Sequence, residues 1–200
     1  MSPEETPARS LWHQAETCHE AGNDLYAIAL LTQALMADEE LSEARLLRAR
    51  LLLSMGSAAE AEADADRLLQ TPSPAAEALL LKAALCLHRN DTEAALLYYN
   101  KVKEHYPQEA GAYVGLSRTY SALHRLDQAL QVMDRAVEQL PDHAAVYRER
   151  GRIRLLLNDK AGAMDDLKKA LQADPETART LEGHFSNLEQ YRTKDADKQI

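Results

Sequence analysis

Alanine returns every 34 residues along this chain, at Ala27, Ala61, Ala95, Ala129 and Ala163. A second column of small residues, Ala15, Ala49, Ala83, Ser117 and Gly151, runs twelve residues ahead of the first in the same phase. Self-similarity at a fixed period confines a chain to repeat architectures, in which one unit buries its apolar face only by stacking on the next. A third column, Gly22, Gly56, Asn90, His124 and Asn158, holds residues suited to a turn, with His124 the poorest fit. A fourth places Pro107, Pro141 and Pro175 where proline stops a helix. Together the columns set out five units, 8–41, 42–75, 76–109, 110–143 and 144–177, with no insertion or deletion.

Each unit reads as two helices of about 14 residues joined by a short turn. In the third, Leu79, Ala83 and Cys86 share one stripe of the first helix, and Ala95, Tyr99 and Val102 one stripe of the second. Spacings of three and four put these side chains on single faces, and small residues in the paired columns let the two helix axes approach closely. Residues 178–192 continue the phase with Leu181, Phe185 and Leu188 and predict a helix that caps the last apolar face. Residues 1–7 and 193–200 are polar ends and are expected to be disordered.

The hydrophobic fraction of 46% supports a continuous core, and composition does not shift midway as it would between two unlike domains. A net charge of -9, from 32 acidic and 23 basic residues, opposes the phosphate attraction on which nucleic-acid binders rely. No apolar run approaches the roughly 18 residues of a membrane-spanning helix. A soluble cytoplasmic protein without nucleic-acid or membrane partners is expected.

Catalytic and metal chemistry find no motif. The seven histidines are scattered over different units, no two within four residues of each other, and the two cysteines, Cys18 and Cys86, lie at helix-core positions 68 residues apart. Isolated glycines form no phosphate loop or nucleophile elbow, and the abundant carboxylates belong to solvated helix faces. Asn90-Asp91-Thr92 is read as a turn leading into a helix N-terminus. No enzyme, cofactor or metal site is expected.

The small residues at the eighth and twentieth places of each unit, with Ala34, Ala136 and Ala170 at the twenty-seventh, resemble the tetratricopeptide repeat pattern over residues 8–177. The large residue of the fourth place is Leu11, Leu79, Tyr113 or Tyr147, while Arg45 departs from it in the second unit. The resemblance implies an all-α fold, a right-handed superhelical solenoid of antiparallel helix pairs. It also implies a non-enzymatic scaffold whose first helices line a concave groove for a segment of a partner protein. On that mapping the groove residues are Trp12, Leu46, Leu47, Arg50, Leu80, Leu81, Val114, Arg118, Arg148 and Arg152. One subfamily clamps a C-terminal carboxylate with lysine, asparagine and arginine side chains. Trp12, Glu16, Leu47, Glu77 and Leu81 stand at five of those places, so this mode is not expected.

The groove thus presents leucines beside arginines, which suits a protein or peptide segment carrying apolar and acidic side chains. Two bland readings stand beside it: leucines packed between neighbouring helices, and arginines neutralised by Glu43, Glu77 and Glu149. A monomer is expected. Self-association through Trp12 and the leucine strip is the alternative.

Overall fold

The computed structural model describes residues 6–70 and 75–174. They form ten α-helices and, among the described residues, no strand: α1 Pro7–Glu20, α2 Asp24–Ala37, α3 Ser42–Ser54, α4 Ala58–Leu68, α5 Ala76–His88, α6 Thr92–His105, α7 Ala110–Ala122, α8 Leu126–Gln139, α9 Ala144–Leu156 and α10 Lys160–Ala173. The expected capping helix at 178–192, the tail at 193–200 and Thr71-Pro72-Ser73-Pro74 lie outside the described residues. Helix α1 starts within the segment expected to be disordered. Pro7 occupies its first turn, where the missing N–H costs nothing, and the Thr6 side chain accepts the Arg9 N–H at 3.3 Å.

Within each pair the turn is the same structure five times over. Gly22, Gly56, Asn90, His124 and Asn158 all have positive φ, between 58° and 84°. In each case the next residue donates its N–H back to a carbonyl five residues earlier, at 2.8–2.9 Å, as in Asn23 to Cys18 and Asp159 to Arg154. This is the Schellman ending, which satisfies carbonyls that a helix leaves open and needs one residue in the left-handed region. Glycine and asparagine enter that region readily. His124 adopts it too, so the poorest fit in the turn column follows its neighbours.

Every alanine of the two periodic columns is fully buried, as is Ser117, and Gly151 is buried. A β-carbon on Gly151 would sit 3.3 Å from both the Ala163 carbonyl oxygen and Leu167 Cγ, which locates a close crossing of α9 and α10 at these two column residues. The chain divides into two compact units, Met1–Lys101 and Val102–Ile200, the division falling inside α6. In the first, Ala15, Ala27, Leu31 and Ala34 share a core with Leu41, Ala44 and Leu51, and a second core joins Ala49, Leu52, Ala61 and Ala65 to Leu81 and Leu85 of α5. In the second, Tyr113, Met133, Ala136 and Val146 form one core and Tyr147, Leu167 and Ala170 another.

A polar ladder runs through the same repeat. Arg48 and Arg150, both at the seventh place of their units, make matching two-pronged bonds to aspartates 16 residues on: Asp64 at 2.7 and 2.8 Å, and Asp166 at 2.6 and 2.9 Å. Each also reaches 16 residues back to the preceding unit, Arg48 to Thr32 at 3.3 Å and Arg150 to Asp134 at 3.0 Å. Lys82, at the seventh place of its unit, likewise bonds Asp66 sixteen residues back, and Glu62 at 2.8 Å. The odd Arg45 belongs to this ladder, with its guanidinium 3.4 Å from Asp64. Burial works to lower the Arg150 pKa, but the hydrogen bonds and charges of Asp166 and Asp134 outweigh it and raise the pKa overall.

The ladder makes stability depend on pH. The Lys82 hydrogen bond, with help from Arg89, lowers the Glu62 pKa below its ordinary value. A lowered carboxyl contributes stability that is present above the unfolded pKa, about 4.3 for glutamate, and is lost as pH falls through the folded value. Burial works against the Lys82 charge, yet Asp66 and Glu62 raise its pKa overall, so its share fades only in strong alkali. Urea unfolding at a series of pH values should show an acid loss that is smaller in Glu62→Gln. Parallel pH profiles for the two proteins would contradict this linkage.

Candidate functional site

The first helices of neighbouring units pack side by side, α3 with α5 in the first compact unit and α7 with α9 in the second. The face of α3 and α5 holds an open cavity of about 380 Å³ lined by Arg50, Leu53, Ser54, Leu80, Leu81 and Ala84. Of the ten expected groove residues the cavity brings together three, Arg50, Leu80 and Leu81. Leu53 and Ser54 complete its wall and were missed, although they follow Arg50 at the three- and four-residue spacing of one helix face. Arg50 is exposed and has no ion pair or hydrogen bond among the described residues, so its guanidinium stands free at the rim of an apolar hollow.

The other expected residues of this unit are spent on packing. Trp12 and Leu47 are half-buried against the first core, and Leu46 against the second. The Trp12 ring also lies 4.5 Å from that of His13. Glu43 pairs at 3.8 Å with Arg9, which keeps it away from the groove arginines.

In the second unit, Arg118 and Arg152 converge on one buried carboxylate. Glu149 receives Arg152 at 2.7 Å, Arg118 at 3.4 Å and the buried Ser117 hydroxyl at 3.4 Å. Arg152 also donates to Ser121 Oγ at 3.3 Å. These two arginines are thus engaged internally. Arg148, half-buried, has no partner among the described residues, and Val114 beside it in the expected set is half-buried.

Every buried side-chain nitrogen and oxygen of the described residues has a partner. The Cys86 thiol is pushed up by burial, away from the thiolate that a nucleophile needs. Among the described residues no three His, Cys, Asp or Glu side chains form a group able to hold a metal ion, and no helix is long and apolar enough to cross a membrane.

Antiparallel helix pairs joined by five matching turns define the class of fold, an all-α helical repeat. Tetratricopeptide repeat profiles match residues 46–110, 86–153 and 144–177. The chain belongs to the tetratricopeptide repeat family. Among solved structures it resembles a thermophilic repeat protein of this family from Thermus thermophilus, with a TM-score of 0.78 at 18% identity over 90% of this chain and 98% of that one. A tetratricopeptide repeat protein from Parabacteroides merdae gives 0.75 at 23% identity, over 90% and 71%. YrrB, described as a repeat protein with an unusual peptide-binding site, gives 0.53 at 18% identity, over 87% and 90%. These likenesses establish the all-α repeat fold. A Xylella fastidiosa protein named UPF0162 protein is 33% identical over 79 residues, which span 38% of this chain and 28% of that relative.

Proposed function

We propose that this chain is a non-catalytic adaptor whose α3 and α5 face holds a segment of another protein, an aliphatic side chain in the cavity and a carboxylate on Arg50. The observation that carries this reading is the exposed Arg50, without an ion pair or hydrogen bond among the described residues, at the edge of a hollow otherwise lined by Leu53, Ser54, Leu80, Leu81 and Ala84. Its volume of about 380 Å³ falls at the lower end of ligand clefts, which run from roughly 300 to 1,000 Å³. A free guanidinium prefers carboxylate because it donates two parallel hydrogen bonds. Peptide binding in the similarly folded YrrB adds support for the type of ligand.

Selection of random displayed peptides on the purified chain tests this reading. Enriched sequences should pair an aliphatic residue with Asp or Glu, and a synthetic peptide of that kind should bind the Arg50→Glu variant at least about tenfold more weakly, a change of about 1.4 kcal/mol. Leu80→Asp should weaken binding too, and added salt should weaken binding to the wild type because exposed charges are screened. Selection that yields no acidic preference, or affinity unmoved by Arg50→Glu, would refute the assignment.

A further inference from the structure

Arginine gathers on the first helices of the second compact unit. Helix α9 carries four, Arg148, Arg150, Arg152 and Arg154, against one carboxylate, Glu149, and the sole charged residue of α7 is Arg118. Two of these five arginines are neutralised from the second helices and the last turn. Arg150 pairs with Asp166 and Asp134, and Arg154 with Asp166 and Asp159. Arg118, Arg148 and Arg152 remain, and among the described residues Glu149 is the only carboxylate within 4 Å of any of them. Three guanidiniums against one carboxylate leave two positive charges on this face, the reverse of the balance in a chain of net charge -9.

Glu149 engages only part of each guanidinium it holds. Arg118 donates to it through Nε alone, at 3.4 Å, so both Nη groups of this exposed side chain have no partner among the described residues. Arg152 turns Nε and Nη2 to Glu149, and Nη2 also to Ser121, which leaves Nη1. Arg148 lies one turn before Arg152 on the same helix face, with its whole guanidinium unpaired among the described residues. The buried carboxylate has nothing further to offer them. Ser117 Oγ, Arg118 Nε and the Nε and Nη2 of Arg152 already fill its roughly four acceptor sites.

We propose that this face of α7 and α9 is a second binding site, for a partner segment that carries two neighbouring carboxylates. One is received on the Nη edge of Arg118 and the other on Arg148, with Nη1 of Arg152 in reserve. Two excess charges and two open forks match two carboxylates, since each fork donates two parallel hydrogen bonds to such a group. A long polyanion such as nucleic acid is repelled by the net charge of the chain, whereas a short acidic stretch meets only the local excess. The assignment does not rest on the reading of the α3 and α5 face.

Fluorescence anisotropy of a labelled Gly-Ser peptide with a central Asp-Asp pair, titrated with the full chain carrying Arg50→Glu, tests the site without a contribution from α3 and α5. The peptide should bind, and its Asn-Asn counterpart should bind at least about tenfold more weakly. Arg118→Gln and Arg148→Gln should each weaken Asp-Asp binding at least about fivefold, and added salt should weaken it too. The exposed Arg135 of α8 is the control: Arg135→Gln removes the same charge from the same compact unit and should change affinity by less than about twofold. Neither Arg118 nor Arg148 is fully buried, so unchanged thermal melting of the variants is expected and separates lost binding from lost folding. No binding of the Asp-Asp peptide would overturn the proposal, as would affinity unmoved by Arg118→Gln and Arg148→Gln or an equal loss in Arg135→Gln. A phosphoserine peptide that binds where the Asp-Asp peptide does not would overturn the carboxylate assignment. Because Arg50 is absent from the titrated chain, failure here leaves the α3 and α5 reading intact.

Discussion

Replacing Asp166 with alanine is expected to destabilise the second compact unit by about 3–5 kcal/mol, the range for removing one partner of a buried ion pair. The carboxylate is fully buried and receives Arg150 at 2.6 Å and Arg154 at 2.8 Å, and the Arg150 side chain is only 11% exposed. Without Asp166, that guanidinium keeps one bond, to Asp134, and remains out of water. Glu149→Ala also removes a buried carboxylate from two arginines, but the Arg118 side chain is 60% exposed and the Arg152 side chain 39%, so both can recover hydration. A smaller loss, about 1–3 kcal/mol, is expected there. Urea denaturation of both variants checks the order. Equal losses would show that solvent access of the orphaned partner does not set the cost. An Asp166→Leu, Arg150→Met double variant should regain much of the loss, since a buried pair replaced by apolar groups is often neutral or better.

Leu85→Ala should cost about 2–5 kcal/mol, the range for emptying a packed leucine site. Leu85 is fully buried and belongs to the core that joins Ala49 of α3 and Ala61 of α4. The alanines bring α3 and α4 together, and Leu85 comes from the first helix of the next unit, so the lost methyl groups lie where one repeat is coupled to its neighbour. Contacts in a repeat array run only between neighbours. Hydrogen exchange should therefore show loosened amides in α3, α4 and α5, while α9 and α10 keep their protection. Protection lost uniformly along the chain would mean that the array unfolds as one block and that the repeats are not locally coupled units.

The helical repeat could be read from the residues because a period is a local property written many times. Small side chains at the eighth and twentieth places are required wherever two helices cross closely, and the left-handed turn recurs because each first helix ends with the same unsatisfied carbonyls. Even His124 was placed in the turn column by phase alone, against its own preference, and it adopts positive φ. The ladder keeps the same period in three of the five units, with Arg48, Lys82 and Arg150 spaced by multiples of 34 and partners 16 residues away, while Gln14 and Leu116 hold that place in the first and fourth. It escaped notice because charge is read by default as solvated surface, and only burial shows otherwise.

The residues alone specified the repeat length, the helix pairs, the turns and the crossings, since each depends on side-chain size and backbone freedom within one unit. They could not apportion the charges. Arg50, Arg118 and Arg152 hold the same place in three units, yet among the described residues Arg50 has no partner while the other two share Glu149. Whether an arginine is available to a ligand depends on which carboxylate three-dimensional packing delivers within about 4 Å, and Coulomb attraction and desolvation at that range are set by distance and burial, not by position along the chain.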